Sequence, residues 1–260
     1  MKNHFDLTFA KKITSLNLGG TTKWQGMVND NKSAFTLSEV LITIGIIGVI
    51  AAITMPVLIN KYQDYLAINK VKKWYSMTNQ AILMSINDNG YLDEWQVTDG
   101  MSSQSANDLA KYIKPYLNIV KDCGTSTDVA CAVYGEGYKF YELNQGALVT
   151  VDAETSSKFY KIILSDGSHI FFRGTPNSYC KGTNTEIVGP VCGAIFVDIN
   201  GNNKPNIVGK DIFGANLVKT GLKLTNYKFD CSLQSGGWSC LSWIITHNNL
   251  NYPKTLNESE

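Results

Sequence analysis

Only three histidines occur in the 260 residues, and the short patterns that commonly carry catalysis are missing. There is no G-x-S-x-G nucleophile elbow, no H-E-x-x-H helix and no glycine-rich phosphate loop. No C-x-x-C pair occurs either, so a zinc ribbon or finger is excluded as the reason for the cysteines. A basic stripe with interleaved aromatics is absent, and the 23 basic residues are balanced by 22 acidic ones. That balance speaks against a nucleic-acid surface. Internal repeats and low-complexity linkers are also lacking.

Charge is missing most conspicuously between Val40 and Ile59, where no residue carries any. Twenty such residues in a helix cover roughly 30 Å, the thickness of bilayer hydrocarbon. Lys2, Lys11, Lys12, Lys23 and Lys32 precede the run against Asp6 and Asp30. This asymmetry keeps the amino terminus cytoplasmic and sends the remainder across the membrane. A cleaved secretory signal has an apolar core of about 7 to 15 residues, shorter than this one, so a retained anchor is expected. Glu39 sits just inside the edge of the run, where a carboxylate in lipid costs about 2.5 kcal/mol or more. Such an acid can snorkel to the headgroups or take a cationic partner.

The order Ala34, Phe35, Thr36, Leu37, Ser38, Glu39 and then a membrane helix resembles the signal of type IV pilins and type II secretion pseudopilins. The resemblance implies a leader of residues 1–34, cut between Ala34 and Phe35 by a prepilin peptidase that methylates the new amine. Ala34 stands where the family most often has Gly, and the leader is long for the family. Residues 35–59 would form the transmembrane and assembly helix, and 60–260 the exported head. The resemblance further gives Glu39 a partner, the Phe35 amine of a neighbouring subunit. It also gives Pro56 the place of a helix kink that lets the preceding segment loosen during assembly. Gly45, Gly48, Ala51 and Ala52 make small faces that permit close helix approach.

Helical periodicity continues past the membrane. Tyr62, Tyr65, Leu66, Val71, Trp74, Tyr75, Thr78, Ala81, Ile82 and Ile86 recur at three- and four-residue intervals, an apolar face of an amphipathic helix over 60–90. Asn89-Gly90 supplies the stop. One helix from Phe35 to about Asp88 would be near 80 Å long. A second helix is expected from about Asn107 to Leu117, capped by Ser105 or Asn107, with Pro115 in its last turn. Strands are expected at Tyr138–Leu143 and Ala147–Val151, at Phe159–Ser165 and Ser168–Arg173 around the Asp166-Gly167 turn, and at Ala194–Ile199. The fold class is therefore α+β: a long amino-terminal helix with an antiparallel sheet head packed on its second half, as in pilins.

All six cysteines follow the apolar run, as expected of disulfides in an oxidising compartment. Sequence proximity favours Cys123–Cys131, Cys180–Cys192 and Cys231–Cys240, each closing a short loop. The segment from Asp198 to Phe213 resembles a loop recurrent in pseudopilin-like proteins. Asp198, Asn200 and Asn202 place hard oxygen ligands at alternate positions, with Asp211 able to close a calcium site. The simpler reading is a turn made by Asn and Gly. His169 and His247 are expected to be structural rather than catalytic.

Together these features describe a non-enzymatic, single-pass inner-membrane subunit with a periplasmic or extracellular head. Its partners would be other pilin or pseudopilin subunits, a prepilin peptidase and the inner-membrane assembly platform. Calcium is the one cofactor the residues suggest. The alternative is a signal-anchored periplasmic enzyme or ligand-binding domain that shares only the membrane helix.

Overall fold

The computed structural model describes residues 35–125, 141–144, 158–182, 190–201 and 203–256. The chain divides into two compact units between Ala51 and Ala52. Helix α1, Leu37–Asn89, contributes to both. Within the first unit every described residue from Phe35 to Ile50 is exposed, including Leu41, Ile47 and Val49. Such a surface is unstable in water and suits lipid or other helices. Among the described residues this is the one helix long and apolar enough to cross a membrane.

In the second unit α1 becomes one-sided. Ile68, Val71, Trp74, Thr78, Ala81, Ile82 and Ser85 are buried at the three- and four-residue spacing of a helix face. Tyr62 and Tyr65, expected on that face, are instead exposed, and Leu66 is exposed too. The buried face starts one to two turns later because Ile68 is the first α1 residue in the core. Gly90 ends the helix at φ +80°, its N–H donating to the Ile86 carbonyl at 2.9 Å. That left-handed conformation is one a glycine adopts without strain.

Six strands form an antiparallel meander in sequence order: β1 Ile119–Gly124, β2 Tyr160–Leu164, β3 His169–Gly174, β4 Gly193–Asp198, β5 Ile212–Val218 and β6 Gly221–Lys223. The β2–β3 turn is the expected Asp166-Gly167, with Gly167 at φ +81°. Asp166 accepts from the Ser168 amide and hydroxyl, and pairs with Lys73 of α1 at 3.3 Å. β1, β5 and β6 lie outside the expected strands. Of the expected Tyr138–Leu143 strand, Tyr141 bridges in parallel to Ile207. Residues 138–140 and the Ala147–Val151 strand lie outside the described residues.

Strand alternation separates two apolar faces. Ile162, Leu164, Ile170, Phe172, Ile195, Val197, Phe213, Ala215 and Leu217 join the main core with Val71, Trp74 and Ile82 of α1. Phe159, Phe171, Val208 and Ile212 form a smaller cluster with Phe196 and Trp238.

Helix α2 runs Ser103–Ile113, not Asn107–Leu117, and Lys114–Tyr116 continues it as a 3₁₀ turn that accommodates Pro115. The cap is Ser102, whose hydroxyl accepts from the Ser105 amide while Ser105 Oγ reaches back to the Ser102 amide. This reciprocal cap satisfies two donors at once, which moves the start four residues upstream. Three shorter helices follow: α3 Asn177–Lys181, α4 Tyr227–Asp230 and α5 Cys240–His247. Disulfides join Cys180 of α3 to Cys192 before β4, and Cys231 after α4 to Cys240 of α5. Cys123 is also disulfide-bonded; its expected partner, Cys131, lies outside the described residues.

α2 lies close on the sheet because two strand ends are glycine. A Cβ on Gly174 would stand 2.5 Å from Ser105 Oγ and 3.1 Å from a Ser105 backbone atom. We expect Gly174→Ala to destabilise the head by about 1–3 kcal/mol through overpacking. The check is denaturant unfolding followed by near-ultraviolet circular dichroism, with an unchanged midpoint contradicting the docking.

Candidate functional site

Two places concentrate the residues that the sequence singles out. The first is the start of α1. Ala34 and the cleavage position before Phe35 lie at the edge of the described residues, and Phe35 itself is exposed. Glu39 Oε2 accepts from the Thr36 amide and from Thr36 Oγ1, both at 2.8 Å. Thr36 Oγ1 accepts in turn from the Glu39 amide at 3.3 Å. This is a capping box, with Thr36 at the cap and Glu39 three residues on. The carboxylate also sits where the helix dipole favours negative charge. The T-x-x-E spacing of Thr36 and Glu39 is the sequence signal of such a box. Glu39 therefore has a local partner within its own chain, one residue from the Phe35 position.

Further along this unit, Ile42, Gly45, Ile46, Val49 and Ile50 line a shallow apolar groove. Nothing stands within 4 Å of where a Cβ on Gly45 or Gly48 would lie, so the backbone there is open to another helix. Pro56 lies inside α1, which the structure describes as one helix through it.

The second place is the loop between β4 and β5. Asp198 is fully buried at the end of β4 and accepts from the Asn200 amide at 3.0 Å. Asp211 is buried just before β5. Its Oδ2 accepts from the Asn206 amide at 2.7 Å and from Asn200 Nδ2 at 3.0 Å, and its Oδ1 from the Ile207 amide at 2.6 Å. The fold thus brings Asp198, Asn200 and Asp211 together; Asn202 lies outside the described residues. Asn206 takes φ +54°, within the left-handed region that Asn tolerates. The arrangement is a clamp: one carboxylate gathers three N–H donors that the chain reversal would otherwise leave unpaired.

As a cation site the loop is only partly suited. Among the described residues no group of three or more His, Cys, Asp or Glu could hold a metal. Asp211 already accepts on both oxygens. However, Asn200 Oδ1 and Asn206 Oδ1 are buried without a donor, and amide oxygens are calcium ligands. His169 is buried at the start of β3, and its Nε2 would lie 3.1 Å from a Cβ on Gly201. His247 ends α5 and stacks on Trp243 at 3.8 Å. Neither is placed beside a nucleophile in the contacts described.

Burial holds the Asp211 carboxyl above its usual range although the hydrogen bonds it accepts pull the other way. A raised folded pKa means ionisation works against the folded state. The contribution of Asp211 is greatest below the unfolded carboxylate pKa and declines as pH rises through the folded value. Asp211→Asn should turn an NH2 group toward donors that need an acceptor, costing about 1–3 kcal/mol. It should also flatten that part of the stability profile. Melting temperatures of both proteins across the acidic range check this, and equal curves would refute the clamp.

Comparison with known proteins gives two matches. The profile of a family of unknown function, DUF6613, covers residues 57–219. The prokaryotic N-terminal methylation motif covers residues 29–55, including Ala34, Phe35 and Glu39. The first match spans more than half of the chain, so the chain belongs to the DUF6613 family. The second is the signal of type IV pilins and pseudopilins, and it marks a pilin-like subunit. No curated protein and no solved structure matches the chain.

Proposed function

We propose that this DUF6613 member is a structural subunit of a type IV pilus or type II secretion pseudopilus. A prepilin peptidase matures it, and it assembles through its amino-terminal helix. One observation carries the reading. The methylation motif runs into a helix whose residues from Val40 to Ile50 are exposed and uncharged, and whose first acid is held at the helix start beside Phe35. In the unassembled subunit Glu39 is satisfied by Thr36. In the filament it would turn to the methylated Phe35 amine of the next subunit, a charge that is costly in lipid without a partner. The head would be periplasmic or extracellular, which suits the disulfides. The inner-membrane platform and other pilin-like subunits are the partners this reading requires.

The test uses full-length protein in a host with a prepilin peptidase and assembly machinery. Intact mass should show a chain beginning at N-methyl-Phe35. Glu39→Ala should still be processed and inserted, yet it should fall out of the filament fraction released by shearing. An intact leader, or assembly of Glu39→Ala equal to wild type in competition, would defeat the proposal.

Calcium at the β4–β5 loop is a second part of the reading, favoured by the two donorless amide oxygens of Asn200 and Asn206. Both oxygens would face the ion, while Asp211 keeps its role as clamp. Adding calcium chloride to chelator-treated protein should raise its melting temperature, and Asn200→Ala should abolish the rise. The absence of any rise in wild type returns the loop to a plain Asn-Gly turn.

A further inference from the structure

On the sheet face away from α1, a cavity of about 250 Å³ is lined by Arg173, Phe196, Gly214, Asn216, Thr225 and Trp238. Its construction follows from register. Arg173 of β3 pairs with Ala194 of β4, which pairs with Asn216 of β5. Two residue pairs along, and so on the same face, Phe171 pairs with Phe196 and Phe196 with Gly214. The cavity lies on this face, between Arg173, Asn216, Thr225 and Trp238. Phe196 closes over the glycine, since a Cβ on Gly214 would come within 2.8 Å of that ring. Asn216 is held in place by donating to Thr225 Oγ1 at 3.0 Å.

Arg173 is the unusual member. Its guanidinium carbon lies 5.3 Å from the Phe196 ring centre and 6.0 Å from that of Phe159. Stacking on rings occupies the face of a guanidinium and leaves its N–H edge for acceptors in its own plane. No such acceptor is supplied among the described residues: Nε is buried without a hydrogen bond, and none of the ion pairs includes Arg173. Burial pulls its pKa down, and among the described residues no neighbouring acid offsets this. A planar, always-charged fork kept without an anion, beside a cavity with aromatic walls, is the receiving half of a bidentate pair.

We propose that this cavity binds a carboxylate carried on a small apolar or aromatic body, with Arg173 as the anion-binding group and Phe196 and Trp238 as the walls. The cavity holds about one side chain or one small ring, so the carboxylate can arrive on a free organic acid or on an acidic side chain of another protein. The chemistry recognised is the same. This site is separate from the assembly helix, and its failure would leave the pilin-like reading untouched.

The experiment uses purified full-length protein in detergent micelles and saturation-transfer NMR. Three probes are compared: benzoate, its neutral isostere benzamide, and an acetylated, amidated Gly-Glu-Gly peptide whose sole carboxylate is the side chain. Benzoate, the peptide or both should give signal, and affinity should fall about tenfold or more in Arg173→Gln. Arg173→Lys should keep part of it. Circular dichroism and melting show that the variants remain folded. Benzoate binding alone assigns the site to free acids, and peptide binding alone to a protein partner. Binding of both shows that the carboxylate is read whatever carries it. Equal binding of benzamide and benzoate, affinity unchanged in Arg173→Gln, or no binding by either carboxylate overturns the proposal.

Discussion

Everything in this chain depends on α1 closing its own backbone hydrogen bonds over 53 residues while its side chains change surroundings along the way. A segment in hydrocarbon has no water to satisfy an N–H or C=O, so a helix is the single-chain solution. The same helix then gives the head its longest core element, with Val71, Trp74 and Ile82 in the main cluster. The transition shows in exposure. Large apolar residues up to Ile59 are exposed on all sides, while past Ile68 burial follows one stripe. A polar residue can stand anywhere off that stripe, but within the first half it needs a specific reason. Glu39 has one.

The sheet is committed on both faces. Its inner face needs close approach by α2, which glycine at Gly174 and Gly193 permits; a Cβ on Gly193 would meet Leu109 at 2.8 Å. Its outer face carries a small cluster packed against Phe196 and Trp238. Helix α5 instead joins the main core through Leu241 and Ile244, and the Cys231–Cys240 disulfide ties it to the end of α4. Tyr252 pins the chain beyond α5 by donating to the Gly209 carbonyl. That links the carboxy-terminal segment to the same β4–β5 loop that Asp211 organises, so the loop is held from within and from outside.

Much of this was legible in the sequence, for physical reasons that differ by element. α1 was readable because twenty uncharged residues and then a helical stripe leave no competing period. The β2–β3 hairpin was readable because Asp-Gly supplies both the side-chain acceptor and the positive φ that the turn requires. β5 was not, because Gly214 and Asn216 occupy its outward positions and both are poor strand formers that read as loop. Helix α5 has Trp, two Ile and Thr within eight residues, a composition that resembles a strand until Ser239 and Cys240 turn the chain. α2 was found but misplaced, because the serine-to-serine cap at Ser102 is a weaker signal than the apolar pattern that follows it. The Arg173 cavity could not have been read at all. It exists only through the register of three strands, and nothing in a single strand's sequence says which residue will stand opposite Ala194.

The capping box at the start of α1 bears on how the proposed assembly contact would work. A carboxylate without any partner at a membrane edge would be forced toward the headgroups, and every unassembled subunit would carry that cost. Thr36 offsets part of it by donating to Glu39 at the helix start, where the dipole also favours the charge. On the proposed reading, docking therefore exchanges one set of hydrogen bonds for another instead of rescuing a stranded charge. The exchange leaves the hydrogen-bond count nearly level. What it adds is the neutralisation of an incoming ammonium, a charge that is costly to leave unpaired in lipid. On that reading the contact would select register, because a neighbour displaced by one turn would keep its amine unpaired while Glu39 stayed bonded to Thr36. A locally satisfied acid is thus compatible both with a stable pool of membrane subunits and with a strict geometry of addition.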